Sequence, residues 1–87
     1  MAGYKLLIKA SAAKELEAVG TKADRHRIVD RIQTLSGNPR AAGSEKLAGY
    51  ADRYRVRQGG YRIIYVIDDE RREVTIFEIG HRKEVYR

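Results

Sequence analysis

The spacing of apolar and polar residues divides the chain into a first strand, a helical region and a strand-forming region. Residues 4–9 are mostly apolar and predict a short first strand. Ser11 is a candidate N-cap for a helix that Gly20 ends. One face of that helix carries Ala12, Leu16 and Val19. We therefore expect a strand followed by a short amphipathic helix.

A second helix is indicated by apolar residues that recur at helical spacing. The pattern begins near Asp24 and stops at Gly37, which Pro39 follows. Its apolar positions are Ile28, Val29, Ile32 and Leu35. A short polar link joins it to the first helix, so the two are expected to form an antiparallel hairpin with one apolar face each.

The second half of the chain changes to the alternating pattern of a sheet. Residues 38–52 contain a proline, two glycines and several alanines and are expected to form a loop. Three strands then follow, at Arg53–Arg57, Tyr61–Asp68 and Glu73–Ile79, separated by a glycine turn and a polar turn. The order β-α-α-β-β-β predicts an α+β fold, a small antiparallel-rich sheet with the helical hairpin packed on one face. Residues 1–87 are expected to form a single domain.

Composition narrows the classes of function. The 87 residues include no cysteine, which excludes disulfides and thiolate chemistry, and only two histidines. We therefore expect no metal site and no cofactor. No apolar run is long enough for a signal peptide or a membrane span, so a cytoplasmic protein is expected. The net charge of +6 favours an anionic partner, either a nucleic acid or an acidic protein.

The positive charge is concentrated in the predicted strands. Alternate side chains of a strand share a face, so Arg53, Arg55 and Arg57 point the same way. Such a row is either an ordinary solvated strand face or a row of phosphate-binding groups.

Arg62 lies in a strand that is apolar on both faces. It shares its face with Ile64 and Val66. An arginine in such a strand needs a polar neighbour or an open cleft. One interpretation is an ion pair to Glu78 or Asp68, and the other is a guanidinium aimed at the negative charge of a phosphorane transition state.

Further candidates for chemistry lie at the ends of the predicted strands. His81 follows the last strand and is a candidate for proton transfer. The ring of Tyr86 either packs against the sheet edge or stacks on an unpaired base. Glu45, in the predicted loop, is a candidate carboxylate base. Catalytic carboxylate pairs, Ser-His-Asp arrangements and nucleotide-binding glycine motifs are absent from the sequence. This inventory suits metal-free RNA cleavage, in which the 2′-hydroxyl of the substrate is the nucleophile.

The order of motifs in the second half resembles the RelE/ParE family of toxins from toxin-antitoxin pairs, and RelE-type mRNA interferases most of all. The motifs are Lys46-Leu47, Tyr54-Arg55-Val56-Arg57, Gly60-Tyr61-Arg62-Ile63-Ile64-Tyr65, Gly80-His81-Arg82 and Val85-Tyr86. The resemblance implies a toxin that cleaves mRNA in the ribosomal A site without a metal and thereby inhibits translation. It also implies the ribosome, mRNA and a cognate antitoxin protein as partners, with a heterotetramer as one candidate stoichiometry of the toxin-antitoxin complex, and no membrane partner.

The resemblance also assigns roles to individual residues. Arg55 and Arg57 match the basic pair that aligns and activates the 2′-hydroxyl, and Arg62 matches the arginine that stabilises the transition state. Arg82 matches the group that protonates the leaving oxygen, and Tyr86 matches the tyrosine that stacks on the message. Basic residues expected to bind substrate are Lys46, Arg53 and Lys83.

The chain departs from the best-studied RelE members, which have lysines where it has Arg55 and Arg57. A guanidinium stays protonated and is a poor general base, so deprotonation would rest on His81, Glu45, a ribosomal group or water. Two alternatives stay open: a ParE-type poison of DNA gyrase without nuclease activity, and an inactive relative that only binds antitoxin. The retained set of Arg62, Arg82 and Tyr86 favours the ribonuclease.

Overall fold

The structure, a computed structural model, describes residues 3–81 and contains two helices and five strands. In chain order these are β1 (Lys5–Ile8), α1 (Ala10–Glu17), α2 (Lys22–Gly37), β2 (Glu45–Lys46), β3 (Arg53–Gln58), β4 (Tyr61–Asp68) and β5 (Glu73–His81). The predicted α+β fold is confirmed, with one strand more than expected. Of the predicted site residues, Arg82, Lys83 and Tyr86 lie outside the described residues. No helix between residues 3 and 81 is long and apolar enough to cross a membrane.

Both helices begin earlier than the sequence indicated. Lys9 occupies the N-cap position of α1 and makes no capping hydrogen bond through its side chain, whereas Ser11 lies inside the helix. The prediction of Ser11 as N-cap was therefore wrong. In α2 the hydroxyl of Thr21 accepts a hydrogen bond from the backbone N–H of Asp24 at 3.1 Å. That cap satisfies one of the unpaired donors of the first turn, so α2 begins at Lys22 and not near Asp24.

All five strands belong to one sheet, in the order β1-β5-β4-β3-β2. β1 runs parallel to β5, and the other neighbours are antiparallel. β2 was missed because it lies in the segment predicted as a loop and has only two residues, paired with β3. The register between β4 and β5 shifts between Ile64 and Tyr65, where β5 carries an extra residue.

The core lies between the helices and one face of the sheet. The helices contribute the buried side chains of Ala12, Val19, Ile28, Ile32 and Leu35. The sheet contributes those of Val56, Ile63, Tyr65, Ile67, Val74, Ile76 and Ile79. The Tyr65 hydroxyl donates a hydrogen bond of 2.6 Å to the Pro39 carbonyl, so the one polar atom of this ring is satisfied within the core. The helices thus cover one face of the sheet.

An exposed polar network ties the first strand to the turn between β4 and β5. Arg40 donates to both carboxylate oxygens of Asp69, at 3.2 and 2.7 Å, and Tyr4 donates to the same carboxylate at 2.7 Å. The hydrogen bond from Arg40, and after it that from Tyr4, lowers the pKa of Asp69 from its ordinary 3.8 to about 2. The network therefore stabilises the fold while Asp69 is ionised.

Candidate nucleic-acid interface on the open sheet face

The face of the sheet that the helices do not cover, called here the open face, carries the arginines of β3 and β4. Cross-strand pairing arranges its side chains in four rows. The rows are Arg57–Arg62–Gly80, then Glu45–Arg55–Ile64–Glu78, then Arg53–Val66–Thr75–Leu7, then Asp68–Glu73–Lys5. The alternation predicted for the arginines of β3 thus places all three on the face that carries Arg62, with Arg57 directly opposite it.

Arg62 is the charged residue that the fold buries. Its relative exposure is 5 %, and it is the one buried charged side chain among residues 3–81. Arg57 lies directly opposite on β3, and Gly80, which has no side chain, lies opposite on β5. The pairing of Arg57 with Arg62 therefore concentrates positive charge at this end of the open face.

Two ion-pair partners were considered for Arg62. Asp68 is at the far end of β4, where its carboxylate lies 4.0 Å from the Nε of Arg71. Glu78 is exposed and pairs with Ile64, in the row next to that of Arg62. The strand pairing thus separates Arg62 from Asp68 and makes Glu78 its diagonal neighbour on the open face.

Arg55 has an acidic partner that the sequence pointed to only weakly. β2 places Glu45 directly opposite Arg55, and the two side chains form an ion pair. The Arg55 side chain is 19 % exposed and that of Glu45 is 62 % exposed. A strand of two residues is too short to show a periodic pattern. The signal for this ion pair in the sequence was therefore weak, an acidic residue that precedes the arginine-rich strand β3. Glu45 therefore belongs to the open face and holds the guanidinium of Arg55.

Two of the predicted site residues lie on the other face of the sheet. His81 pairs with Tyr61, and the two rings meet edge to face with centroids 5.5 Å apart. Lys46 pairs with Tyr54. Because directly paired residues share a face and both tyrosines pack against the core, His81 and Lys46 stand across the sheet from the arginines. Proton transfer by His81 and substrate binding by Lys46 remain predictions.

Arg53 lies between two aromatic rings. Its guanidinium carbon is 4.3 Å from the ring centroid of Tyr50 and 4.9 Å from that of Phe77. The Nζ of Lys9 lies 4.5 Å from the Phe77 centroid. Lys9, Tyr50 and Phe77 come from three distant segments, so their sequence positions carried no signal of this contact.

The open face can hold a polyanion by several guanidinium groups at fixed spacing. Its arginines are Arg53, Arg55, Arg57 and Arg62, and its described acidic residues are Glu45, Asp68, Glu73 and Glu78. Guanidinium groups bind phosphate through planar paired donors and stay charged, which suits binding and charge stabilisation more than proton abstraction. The arrangement of this surface suits recognition of a phosphodiester backbone.

Comparison with known proteins identifies relatives of this chain. Residues 6–86 match the family described as the ParE toxin of the type II toxin-antitoxin system parDE. Toxin RelG of Mycobacterium tuberculosis is 32 % identical over 75 residues, which are 76 % of this chain and 86 % of that protein. Toxin RelE of the same organism is 30 % identical over 84 residues, which are 97 % of this chain and 87 % of that protein.

Solved structures show the same fold. The archaeal RelE–RelB complex from Pyrococcus horikoshii superposes with a TM-score of 0.81 at 27 % identity, over 92 % of this chain and 96 % of that one. The isolated RelE toxin of E. coli gives a TM-score of 0.78 at 30 % identity, over 95 % of this chain and 90 % of that one. The predicted resemblance is thus confirmed over nearly the whole chain. This chain belongs to the RelE/ParE family of toxins of type II toxin-antitoxin systems.

Proposed function

We propose that this protein is a toxin that cleaves mRNA on the ribosome and so inhibits translation. Arg62 is the observation that carries the proposal, because a buried guanidinium faces the open surface of the sheet directly beside Arg57. The relatives with 30 % identity or more are a RelE and a RelG toxin, which favours RelE-type activity over gyrase poisoning.

The proposed reaction uses the substrate as its own nucleophile. The 2′-oxygen attacks phosphorus, the bond from phosphorus to the 5′-oxygen breaks, and the products are a 2′,3′-cyclic phosphate and a 5′-hydroxyl. Arg55 and Arg57 align the phosphodiester, and Arg62 stabilises the added negative charge of the phosphorane. Arg82 donates the proton to the leaving 5′-oxygen, and Tyr86 stacks on the message.

The group that removes the proton from the 2′-hydroxyl is the remaining question. On the described part of the open face the arginines are poor bases, and the carboxylate of Glu45 is held by Arg55. We therefore assign Glu45 to the positioning of Arg55, and proton removal to a ribosomal group or water. This division agrees with a toxin that needs the ribosome for chemistry as well as for substrate.

The same surface suits a protein inhibitor. The RelE toxins of Pyrococcus horikoshii and Methanococcus jannaschii were solved in complexes with RelB antitoxins. By analogy, a cognate antitoxin with an acidic amphipathic helix or strand would cover the open face. Its carboxylates would meet the arginines that otherwise bind the message, so antitoxin and mRNA would compete.

Primer extension on mRNA from a translating extract tests the proposed activity. Wild-type protein is compared with Arg62→Met, which keeps the buried aliphatic stem and removes the charge. Arg27→Gln is the matched control, because Arg27 is an exposed arginine of α2 with a 64 % exposed side chain. We expect codon-phased cuts with wild type and with Arg27→Gln, only when ribosomes are present, and none with Arg62→Met.

A gyrase supercoiling assay on the same samples separates the two activities of the family. If the message stays intact and supercoiling is inhibited, the protein is a gyrase poison and not a ribonuclease. Intact message with unaffected gyrase would leave a relative that only binds its antitoxin. Cuts that persist in Arg62→Met would retain the ribonuclease and remove Arg62 from its mechanism.

A further inference from the structure

The open face carries a second cationic and aromatic group of residues, at a distance from the arginine pair. Tyr50, Arg53, Phe77 and Lys9 follow one another as ring, cation, ring and cation, and we call them the Tyr50 ladder. Successive separations from charge to ring centroid are 4.3, 4.9 and 4.5 Å. These distances lie within the range of cation–π attraction, so the rings hold both cations in place.

Structural packing does not account for all the features of the ladder. Tyr50 is 48 % exposed, which makes it one of the few large apolar side chains that residues 3–81 leave open to solvent. The Nε of Arg53 is buried and lacks a hydrogen-bond partner among the described residues. No carboxylate in that part of the chain forms an ion pair with Arg53 or Lys9. Two cations that form no ion pair within residues 3–81, beside an exposed ring, suit an anionic, aromatic ligand.

The ladder lies on the path that an RNA strand would take across the open face. Arg53 and Arg57 belong to the same strand and the same face, four residues apart. At a rise of roughly 3.3 Å per residue, their backbones are separated by roughly 13 Å. That distance corresponds to about four nucleotides at the stacked spacing of about 3.4 Å, and to fewer in an extended strand. A message bound between Arg57 and Arg62 is thus long enough to reach Tyr50.

We infer that the Tyr50 ladder is a second nucleotide subsite, in which Tyr50 stacks an unpaired base while Arg53 and Lys9 bind the adjoining phosphates. The inference rests on the proposed function, because it places the base a few nucleotides from the scissile bond. Stacking on an aromatic ring with a neighbouring guanidinium tolerates every base. The ladder therefore adds affinity and fixes the register of the message without reading its sequence.

Binding of short unpaired RNA to the purified toxin tests the stacking ring. Fluorescence anisotropy is measured for wild type, Tyr50→Leu and Tyr50→Phe with the same labelled oligonucleotide. Loss of the ring in Tyr50→Leu is expected to weaken binding about tenfold, whereas Tyr50→Phe keeps the ring and binds within about twofold of wild type. Melting temperatures should be equal, because Tyr50 is nearly half exposed.

The dependence of affinity on salt tests the cations. Lys9→Gln is expected to reduce the slope of log affinity against log salt by about 0.7, the value for one phosphate contact with a single strand. Lys14→Gln is the matched control, because it removes the same charge from an exposed position on α1. Its slope should equal that of wild type.

The outcomes separate this subsite from the proposed activity. RNA affinity that depends on the Tyr50 ring supports the subsite, even if the wild-type protein cuts no message. If the wild type cleaves message but Tyr50→Leu and Tyr50→Phe bind RNA with equal affinity, the subsite is overturned and the proposed activity stands. If Tyr50→Leu no longer binds the cognate antitoxin but keeps full RNA affinity, the subsite is also overturned, and the ladder contacts a protein partner instead. A wild-type protein that binds no free RNA overturns the subsite and leaves the ribosome-dependent activity, which primer extension tests separately.

Discussion

Replacing Glu45 by glutamine tests whether this carboxylate positions Arg55 or acts as the base. Glu45 and Arg55 form an ion pair across β2 and β3, with side chains 62 % and 19 % exposed. A pair this open to water contributes about 0.5 kcal/mol to stability. For a domain of this size, Glu45→Gln should therefore lower the melting temperature by about 2–4 °C.

The same substitution should strengthen RNA binding. It removes a negative charge from the open face and releases Arg55 to a phosphate, so the salt dependence of RNA affinity should steepen by about 0.7. Fluorescence anisotropy across a salt series measures the slope. Cleavage on the ribosome should stay within about tenfold of wild type, because the proton is removed by another group.

Glu78→Gln is the control for charge alone. Glu78 lies in the same cross-strand row, separated from Arg55 by Ile64. A double-mutant cycle of Arg55→Gln with Glu45→Gln should give a coupling of about 0.5 kcal/mol, and the cycle with Glu78→Gln should give about zero. If Glu45→Gln slows cleavage more than about 100-fold without weakening RNA binding, Glu45 is the general base and the reasoning above fails.

Three further substitutions test the fold and the surface. Tyr65→Phe removes the buried hydrogen bond to the Pro39 carbonyl and should cost about 1–2 kcal/mol in urea denaturation; an unchanged midpoint would mean that the bond contributes nothing. The depressed pKa of Asp69, about 2 against an ordinary 3.8, gives stability that is present above about pH 4 and lost as the pH falls through 2. In melting curves from pH 6 to pH 2, Asp69→Asn should flatten this loss, and a parallel decline would contradict it. Arg57→Gln, at an exposed position, should keep the melting temperature and reduce the salt slope of RNA binding by about 0.7, whereas an unchanged slope would remove Arg57 from the interface.

The elements that the sequence predicted well are those with a long apolar period. In α2 the predicted positions Ile28, Ile32 and Leu35 are all buried, because sixteen residues repeat the helical spacing several times. In β4 the alternation placed Ile63 and Tyr65 on the face opposite Arg62, and both are buried in the core. Patterns of this length leave few alternatives for the direction of a side chain.

The sequence-based predictions were wrong or incomplete where an element is too short to show a periodic pattern, and where pairing between distant segments determines the structure. α1 has eight residues, and the side chain of its N-cap residue makes no capping hydrogen bond. The local sequence therefore gave no signal that the N-cap is Lys9 and not Ser11. The two residues of β2 are a strand only because β3 lies beside them. The Tyr50 ladder likewise joins three segments that only the sheet register brings together, and no single-chain pattern encodes that register.

The single-turnover rate of mRNA cleavage on programmed ribosomes shows whether Arg62 acts on the transition state. Wild type and Arg62→Met are compared at saturating toxin, with ribosome affinity and melting temperature measured alongside. We expect a rate about 100–1,000-fold lower for Arg62→Met, with unchanged affinity and a folded protein. An equal rate, or a variant that fails to fold, would show that Arg62 supports the sheet and not the reaction.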